Sequence, residues 1–371
     1  MDYPISRREF LKTSSIVAGS LAIGSTFSGC ASSLPPAFDS GATGPVSYPK
    51  LQGQKIQPPE HYGLKGCYTG IWFGNSPLAH QPKSTIEDYV KKVGKKPTFV
   101  HIPYRPIPLY YEGTGIDSVI YERNRSFKLI QKIGDMGIIP FITYDMRLGQ
   151  SNKSGHKDVP KGKFDEEITV TAQWLRRYGE EHGGFFIRTM REMNSGFWPW
   201  SNSRYFKKAW RHIWNIFDQV GTNKYATWVL HFTTTKSDYF SMGPYFLEDE
   251  FYDWISLTVY NYGPQMDGNY SFSLKIRPFY IYLRRHHPNK PIMVGETGCN
   301  KMHKRDSWIK NLFVDIKHEY RGLLGVSLWN DRWDTTRMIM DNNILGVEKD
   351  LKAYRTGLSD QYFISAIGDS L

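Results

Sequence analysis

The chain has 371 residues, 40% apolar and 15% aromatic content, and a formal net charge of +11, enough apolar surface for one large domain or two ordinary ones. Its three cysteines exclude a disulfide framework and match no zinc-ligand spacing. No dense Lys/Arg run interleaved with aromatics marks a nucleic-acid stripe, so no nucleic-acid partner is expected and the basic balance reads as a solvated surface.

The first element in chain order is an address. Residues 6–12, SRREFLK, set Arg7 beside Arg8, and a mild apolar run, IVAGSLAIG, follows. That run is too short and too rich in Gly, Ala and Ser for a permanent transmembrane helix. The pattern resembles a twin-arginine export signal. It ends FSGC at Phe27 to Cys30, which resembles a lipoprotein processing site, with Phe27 where Leu is usual. The resemblance implies that Cys30 carries an acyl anchor. The expected organisation is a signal over 1–30, a Ser/Pro/Gly/Ala-rich tether over 31–60 and one folded domain over 61–371. The domain would be held at a membrane, facing the periplasm or the cell surface, as a monomer.

Beyond residue 60 short apolar runs alternate with helical patterns. The strand candidates are KGCYTGIWFG, PTFVHIPYR, GIIPFITYDMR, GGFFIRTMREMN, YATWVLHFT, DWISLTVYNYG, PIMVGETG and GLLGVSLWNDR. Among the helical stretches, STIEDYVKKVG opens with Ser84 as N-cap and Glu87 three residues on, a capping box. FDEEITVTAQWLRRYGEEHG carries acids in its first turn and ends near Gly, and RDSWIKNLFVDIKHEYRG has the same form. This rhythm predicts a single-domain α/β fold, a (β/α)8 TIM barrel. A doubly wound sheet would need a Gly-rich phosphate turn after an early strand, and none is present.

A barrel of this kind builds its site at the C-terminal ends of its strands. Those ends carry Trp72, Arg105, Asp145 with Arg147, Glu192 with Asn194, His231, Tyr260 with Tyr262, Glu296, and Trp329 with Asn330. Glu192 ends the fourth strand and Glu296 the seventh, so the fold sets them across the mouth. A separation of about 5–5.5 Å is what a retaining glycosidase uses for its two carboxyl groups. Glu296 lies in the Gly-flanked GETGC, a setting for an ionised nucleophile. Glu192 lies beside FWPW, and an apolar wall disfavours a charged carboxylate, as a proton donor requires.

IRTMREMNSGFWPW around Glu192 and PIMVGETG around Glu296 resemble glycoside hydrolase family 26, the β-mannanase and related β-glucanase and β-xylanase group. The resemblance implies a (β/α)8 barrel, Glu192 as acid/base, Glu296 as nucleophile, Trp198 as the aromatic that follows the acid/base segment, and Tyr260 as a contact of the nucleophile. Two positions depart from the pattern. Arg191 stands where the family has His before the acid/base, and Thr297 stands inside a segment that commonly reads Glu-Phe-Gly. Arg191 points to a changed hydroxyl contact or an acidic substituent, and weighs against mannan.

Other residues have two readings. Trp72, Trp198, Trp200 and Trp329 are sugar platforms or barrel packing, with Trp198 and Trp329 the better platforms. Asn194 bonds a hydroxyl or positions the turn. His101 and His231 read as interior groups, and Asp145 and Arg147 as cleft residues or an internal ion pair. The segment LGQSNKSGHKDVPKGKF is a basic lid for an acidic polysaccharide or a loop, the latter favoured. Cys67 and Cys299 read as separate buried thiols. No metal and no cofactor is expected. The activity expected is retaining, endo-acting hydrolysis of a β-linked polysaccharide. The alternatives are an inactive carbohydrate-binding lipoprotein and a transglycosylase.

Overall fold

The computed structural model describes residues 54–74, 81–104, 116–145, 147–148, 153–234, 238–263, 270–301, 304–335 and 338–365. The chain divides into two units, Met1–Val46 and Ser47–Leu371, and all described residues belong to the second. The export signal, Cys30, most of the tether and Arg105 lie outside the described residues.

The barrel strands are β1 (Cys67–Trp72), β2 (Phe99–Tyr104), β3 (Ile139–Tyr144), β4 (Phe185–Thr189), β5 (Ala226–Thr233), β6 (Trp254–Asn261), β7 (Ile292–Cys299) and β8 (Leu323–Trp329). Seven fall within the runs read from the sequence, and β7 extends its run, PIMVGETG, by one residue to Cys299. All neighbours pair in parallel, and β8 returns to β1 through pairings from Tyr68↔Gly325 to Trp72↔Trp329, which closes the sheet. The helices are α1 (Pro82–Val93), α2 (Ile116–Asp135), α3 (Asp165–His182), α4 (Ser203–Val220), α5 (Phe272–His286), α6 (Arg305–His318) and α7 (Glu348–Leu358). Between β5 and β6 the chain runs through a short 3-10 turn, Tyr239–Tyr245, with Pro244 inside it.

One helix start differs from the expected one. α1 begins at Pro82 after Gln81, and no side chain caps it; Ser84 lies inside its first turn. Proline's fixed φ suits the first helical position and its missing N–H loses nothing there, so Pro82 sets the start three residues early, with Gln81 and not Ser84 at the N-cap.

Strand alternation sorts the interior. Phe99, Phe141, Phe186, Val229, Trp254 and Met293 share one buried cluster that fills the lower barrel, while Val100, Ile142, Ile187, Leu230, Ile255 and Val294 pack outward beneath the helices. Gly70 leaves the space that the Phe99 ring occupies. The bottom is closed by residues assigned to the tether. Ile56, 1% exposed, donates its N–H to Thr227 Oγ1 at 2.6 Å and accepts from Trp254 Nε1 at 3.1 Å. Lys55 pairs with Asp253 at 2.8 Å. The packed chain therefore begins before residue 61. Phe363–Ile364 pairs with β1, and the Ile364 carbonyl accepts from Thr69 and Thr98.

Cys67 and Cys299 are free and buried, and burial pushes both thiols up. No helix among the described residues is long and apolar enough to cross a membrane.

Candidate active site

Above its apolar floor the barrel interior becomes polar. On β7, Met293 faces inward with the floor and Val294 outward. Strict alternation would then turn Glu296 away from the axis. The register slips instead. Leu257 pairs with Val294 but Thr258 pairs with Glu296, and on the other side Val326 pairs with Val294 but Leu328 with Thr297. This bulge inserts one residue, Gly295, and swings Glu296 into the barrel. Glycine is required here, because a Cβ would overlap Ser256 Oγ and lie 3.2 Å from the His231 ring.

Arg188 receives Glu296. It points inward from β4 with 0% exposure, and its Nη2 pairs with Glu296 Oε1. Its Nε donates to Thr143 Oγ1 at 2.9 Å. Its Nη1 lies 3.1 Å from both ring nitrogens of His231. The in-plane positions of that ring are taken by Ser256 Oγ and Thr258 Oγ1, each at 2.8 Å. Burial and the neighbouring Arg188 hold His231 well below the usual imidazole range, so it meets the guanidinium as a neutral ring. Tyr260 donates its hydroxyl to Glu296 Oε2 at 3.1 Å. Burial pushes the Glu296 carboxyl up, Arg188 pulls against it, and the Glu192 carboxylate adds to the upward push. Sequence reasoning did not select Arg188. Its signal was a lone cation inside the apolar run FFIRT, four residues before Glu192.

Glu192 sits in a strained turn just after β4. Met190 and Glu192 adopt left-handed backbone, φ +50° and +53°. For non-glycine residues this costs about 1–2 kcal/mol each, so the surroundings must hold it. Glu192 N–H donates to the His231 carbonyl at 2.8 Å, and Trp200 Nε1 to the Arg191 carbonyl at 2.8 Å. Asn194 clamps the turn to the end of β5. Its Nδ2 donates to the Thr233 carbonyl at 2.9 Å and to Ser241 Oγ at 3.0 Å, and its Oδ1 accepts from Thr233 N–H at 2.9 Å. The Glu192 carboxylate accepts from Trp198 Nε1 at 3.0 Å. Trp198 stacks on the buried Trp200 with ring centres 5.1 Å apart and planes 10° apart.

Arg191 ties the halves together. Its Nη1 donates to Asp145 Oδ2 at 2.7 Å, its Nε lies 3.8 Å from Glu296 Oε1, and its guanidinium lies 4.6 Å from the Trp198 ring centre. Asp145 thus forms an internal ion pair with Arg191; the Arg147 side chain lies outside the described residues. On the β1–β8 seam Trp72 stacks against Trp329 at 5.0 Å, with its Nε1 on Asp331 Oδ2 at 3.2 Å. Trp72 is 4% exposed, which leaves Trp329 the more accessible face. His101 is buried between Phe141 and Trp329. Glu192, Glu296, Arg191, Trp198 and Tyr260 therefore meet in one network. Asn194 supports it from behind, and Trp72 and Trp329 lie on another part of the rim.

The chain has the fold of the GH26 endo-β-1,4-mannanases. The catalytic domain of the Bacillus sp. JAMB-750 GH26 endo-β-1,4-mannanase superposes with a TM-score of 0.64 at 14% identity, covering 86% of this chain and 96% of that one. The GH26 β-mannanase from Bacteroides ovatus gives 0.62 at 14% identity over 84% of this chain and 94% of that one. GH26C from Muricauda sp. MAR_2010_75 gives 0.63 at 12% identity over 81% and 87%. A curated relative, Endoglucanase H of Acetivibrio thermocellus, is 25% identical over 216 residues, 54% of this chain and 23% of that protein. The chain thus spans about a quarter of that relative's length. No protein-family model matches the chain.

Proposed function

We propose that the chain is a retaining, endo-acting β-glycoside hydrolase of a β-linked polysaccharide, with Glu296 as nucleophile and Glu192 as acid/base. The carrying observation is that a bulge delivers Glu296 onto Arg188 and Tyr260, while a strained turn presents Glu192, held by Trp198, to the same network. In the first step a Glu296 oxygen attacks the anomeric carbon. The glycosidic C–O bond breaks, and the leaving oxygen takes the proton of Glu192. In the second step Glu192 takes a proton from water, the water oxygen attacks the anomeric carbon, and Glu296 is released. Arg188 and Tyr260 hold Glu296 in place for both steps, and Trp198 holds Glu192.

The similar proteins named as endo-β-1,4-mannanases and as an endoglucanase support β-1,4-linked mannan or glucan chains as the polymers to try first. The export and lipoprotein patterns support an enzyme tethered through Cys30 at a membrane, outside the cytoplasm, and a monomer is the form proposed. The test is hydrolysis of galactomannan, mixed-linkage β-glucan and carboxymethyl cellulose by the parent chain and by Glu192→Gln and Glu296→Gln. Cleavage by the parent, lost in both variants, is the expected result. Cleavage that survives Glu296→Gln sinks the nucleophile assignment. Binding without cleavage favours a carbohydrate-binding lipoprotein.

A further inference from the structure

Asp145 follows β3 at the barrel mouth and is 2% exposed. Its N–H donates to the Tyr104 carbonyl at 3.0 Å, which holds the residue at the strand end. Only one of its carboxylate oxygens is engaged. Oδ2 accepts from Arg191, while Oδ1 is buried and has no hydrogen-bond partner among the described residues. Buried polar atoms are almost always paired, and a charged one left unpaired is costly. Such an atom at a mouth points to a donor that arrives from outside.

The surroundings say what kind of donor. Arg191 spends Nη1 on Asp145 and rests on Trp198, whose Nε1 bonds Glu192, while its Nε approaches Glu296 at 3.8 Å. A sugar seated between Glu192 and Glu296 lies beside this pair. Among the described residues, two guanidinium groups, Arg188 and Arg191, face three carboxyl groups, Asp145, Glu192 and Glu296. An acidic sugar would add a fourth negative charge where the cations are already paired. Of the described lysines in the basic segment after β3, Lys161 and Lys163 lie 2.7 and 3.9 Å from Asp158, and Lys157 lies over the Tyr205 ring.

We propose that Asp145 and Arg191 form a hydroxyl clamp for a neutral sugar ring, with Asp145 Oδ1 accepting from one hydroxyl and Arg191 donating to its neighbour. The clamp deepens the glycosidase reading and rests on it for the position of the ring. A site built on such polar groups discriminates strongly, because a ring lacking the hydroxyl leaves them buried and unpaired.

The test is affinity electrophoresis of the full chain in galactomannan, in mixed-linkage β-glucan and in polygalacturonate, with Asp145→Asn and Arg191→Gln beside the parent and a thermal midpoint for each. The expected result is retention of the parent by a neutral polymer and not by polygalacturonate. Both variants should bind that polymer at least about tenfold more weakly, while each still unfolds in one cooperative thermal transition. Retention of Asp145→Asn equal to the parent overturns the clamp. So does stronger retention by polygalacturonate, or a parent that neutral polymers leave unretarded. If Asp145→Asn loses its fold, Arg191→Gln decides by the same criterion. A parent that binds neutral polymers through Asp145 but cleaves none of them removes the hydrolase reading and leaves the clamp standing.

Discussion

Arg188 and Glu296, from opposite sides of the barrel, form an ion pair with both side chains almost wholly withdrawn from solvent. The pair is the base of the candidate site. Arg188 is fixed by Thr143 and by the neutral His231, and it fixes one oxygen of Glu296 while Tyr260 takes the other. Breaking a buried pair leaves an uncompensated charge. Arg188→Met should therefore destabilise the fold by about 3–5 kcal/mol, read from the denaturant midpoint, and lower kcat/KM more than Arg188→Lys does. A midpoint like that of the parent contradicts the pairing.

The pH dependence follows from the same pair. Burial and Glu192 hold the Glu296 carboxyl above its ordinary value of 4.5, against the pull of Arg188 and Arg191. The proposed nucleophile must be ionised, so activity should be lost as pH falls through that raised value. The acid limb of kcat/KM should lie above pH 4.5. Arg191→Gln removes one downward pull and should move the limb to higher pH. The stability sign is opposite: a raised carboxyl value favours the folded state at low pH, and that contribution fades as pH rises through it. A limb unmoved by Arg191→Gln would show that another group sets it.

Gly295→Ala tests the bulge. The added methyl overlaps Ser256 Oγ and crowds His231. Overpacking of this kind costs about 1–3 kcal/mol, and here it also displaces Glu296, so kcat should fall together with the thermal midpoint. Ser256→Ala in the same chain should recover part of both. Full activity in Gly295→Ala alone would refute the role given to this glycine.

Asn194 is predicted to act on the turn. Both ends of its amide are spent on Thr233. Asn194→Ala should cost about 1–3 kcal/mol of stability and lower kcat with little change in KM, as expected when Glu192 is misplaced. A large rise in KM with kcat retained would instead make Asn194 a sugar contact.

Trp198→Phe keeps an aromatic face and deletes the N–H on Glu192. The expected result is a lower kcat and a KM within about threefold of the parent, since the deleted bond is to a charged group and the stacking surface remains. Steady-state kinetics on the preferred polymer separates the two.

What the sequence by itself determined was local and periodic. The eight strand runs were legible because short β-branched and aromatic stretches alternate with long amphipathic ones. The rim was legible because charge and aromatics recur only where those runs end, with Glu192 and Glu296 among them. The tertiary structure decided whatever depends on a partner distant in the chain. Arg188 reads as one cation in an apolar strand until β7 stands opposite it, and only then is it the counterion of Glu296. Asn194 reads as a turn residue or a hydroxyl contact until β5 supplies Thr233. Glu296 itself faces the wrong way by strict alternation from Met293. A one-residue bulge, made possible because Gly295 has no side chain to strike Ser256, turns it inward. A strand's own pattern records which residues alternate, whereas the slip between two strands is settled by what their neighbours leave room for.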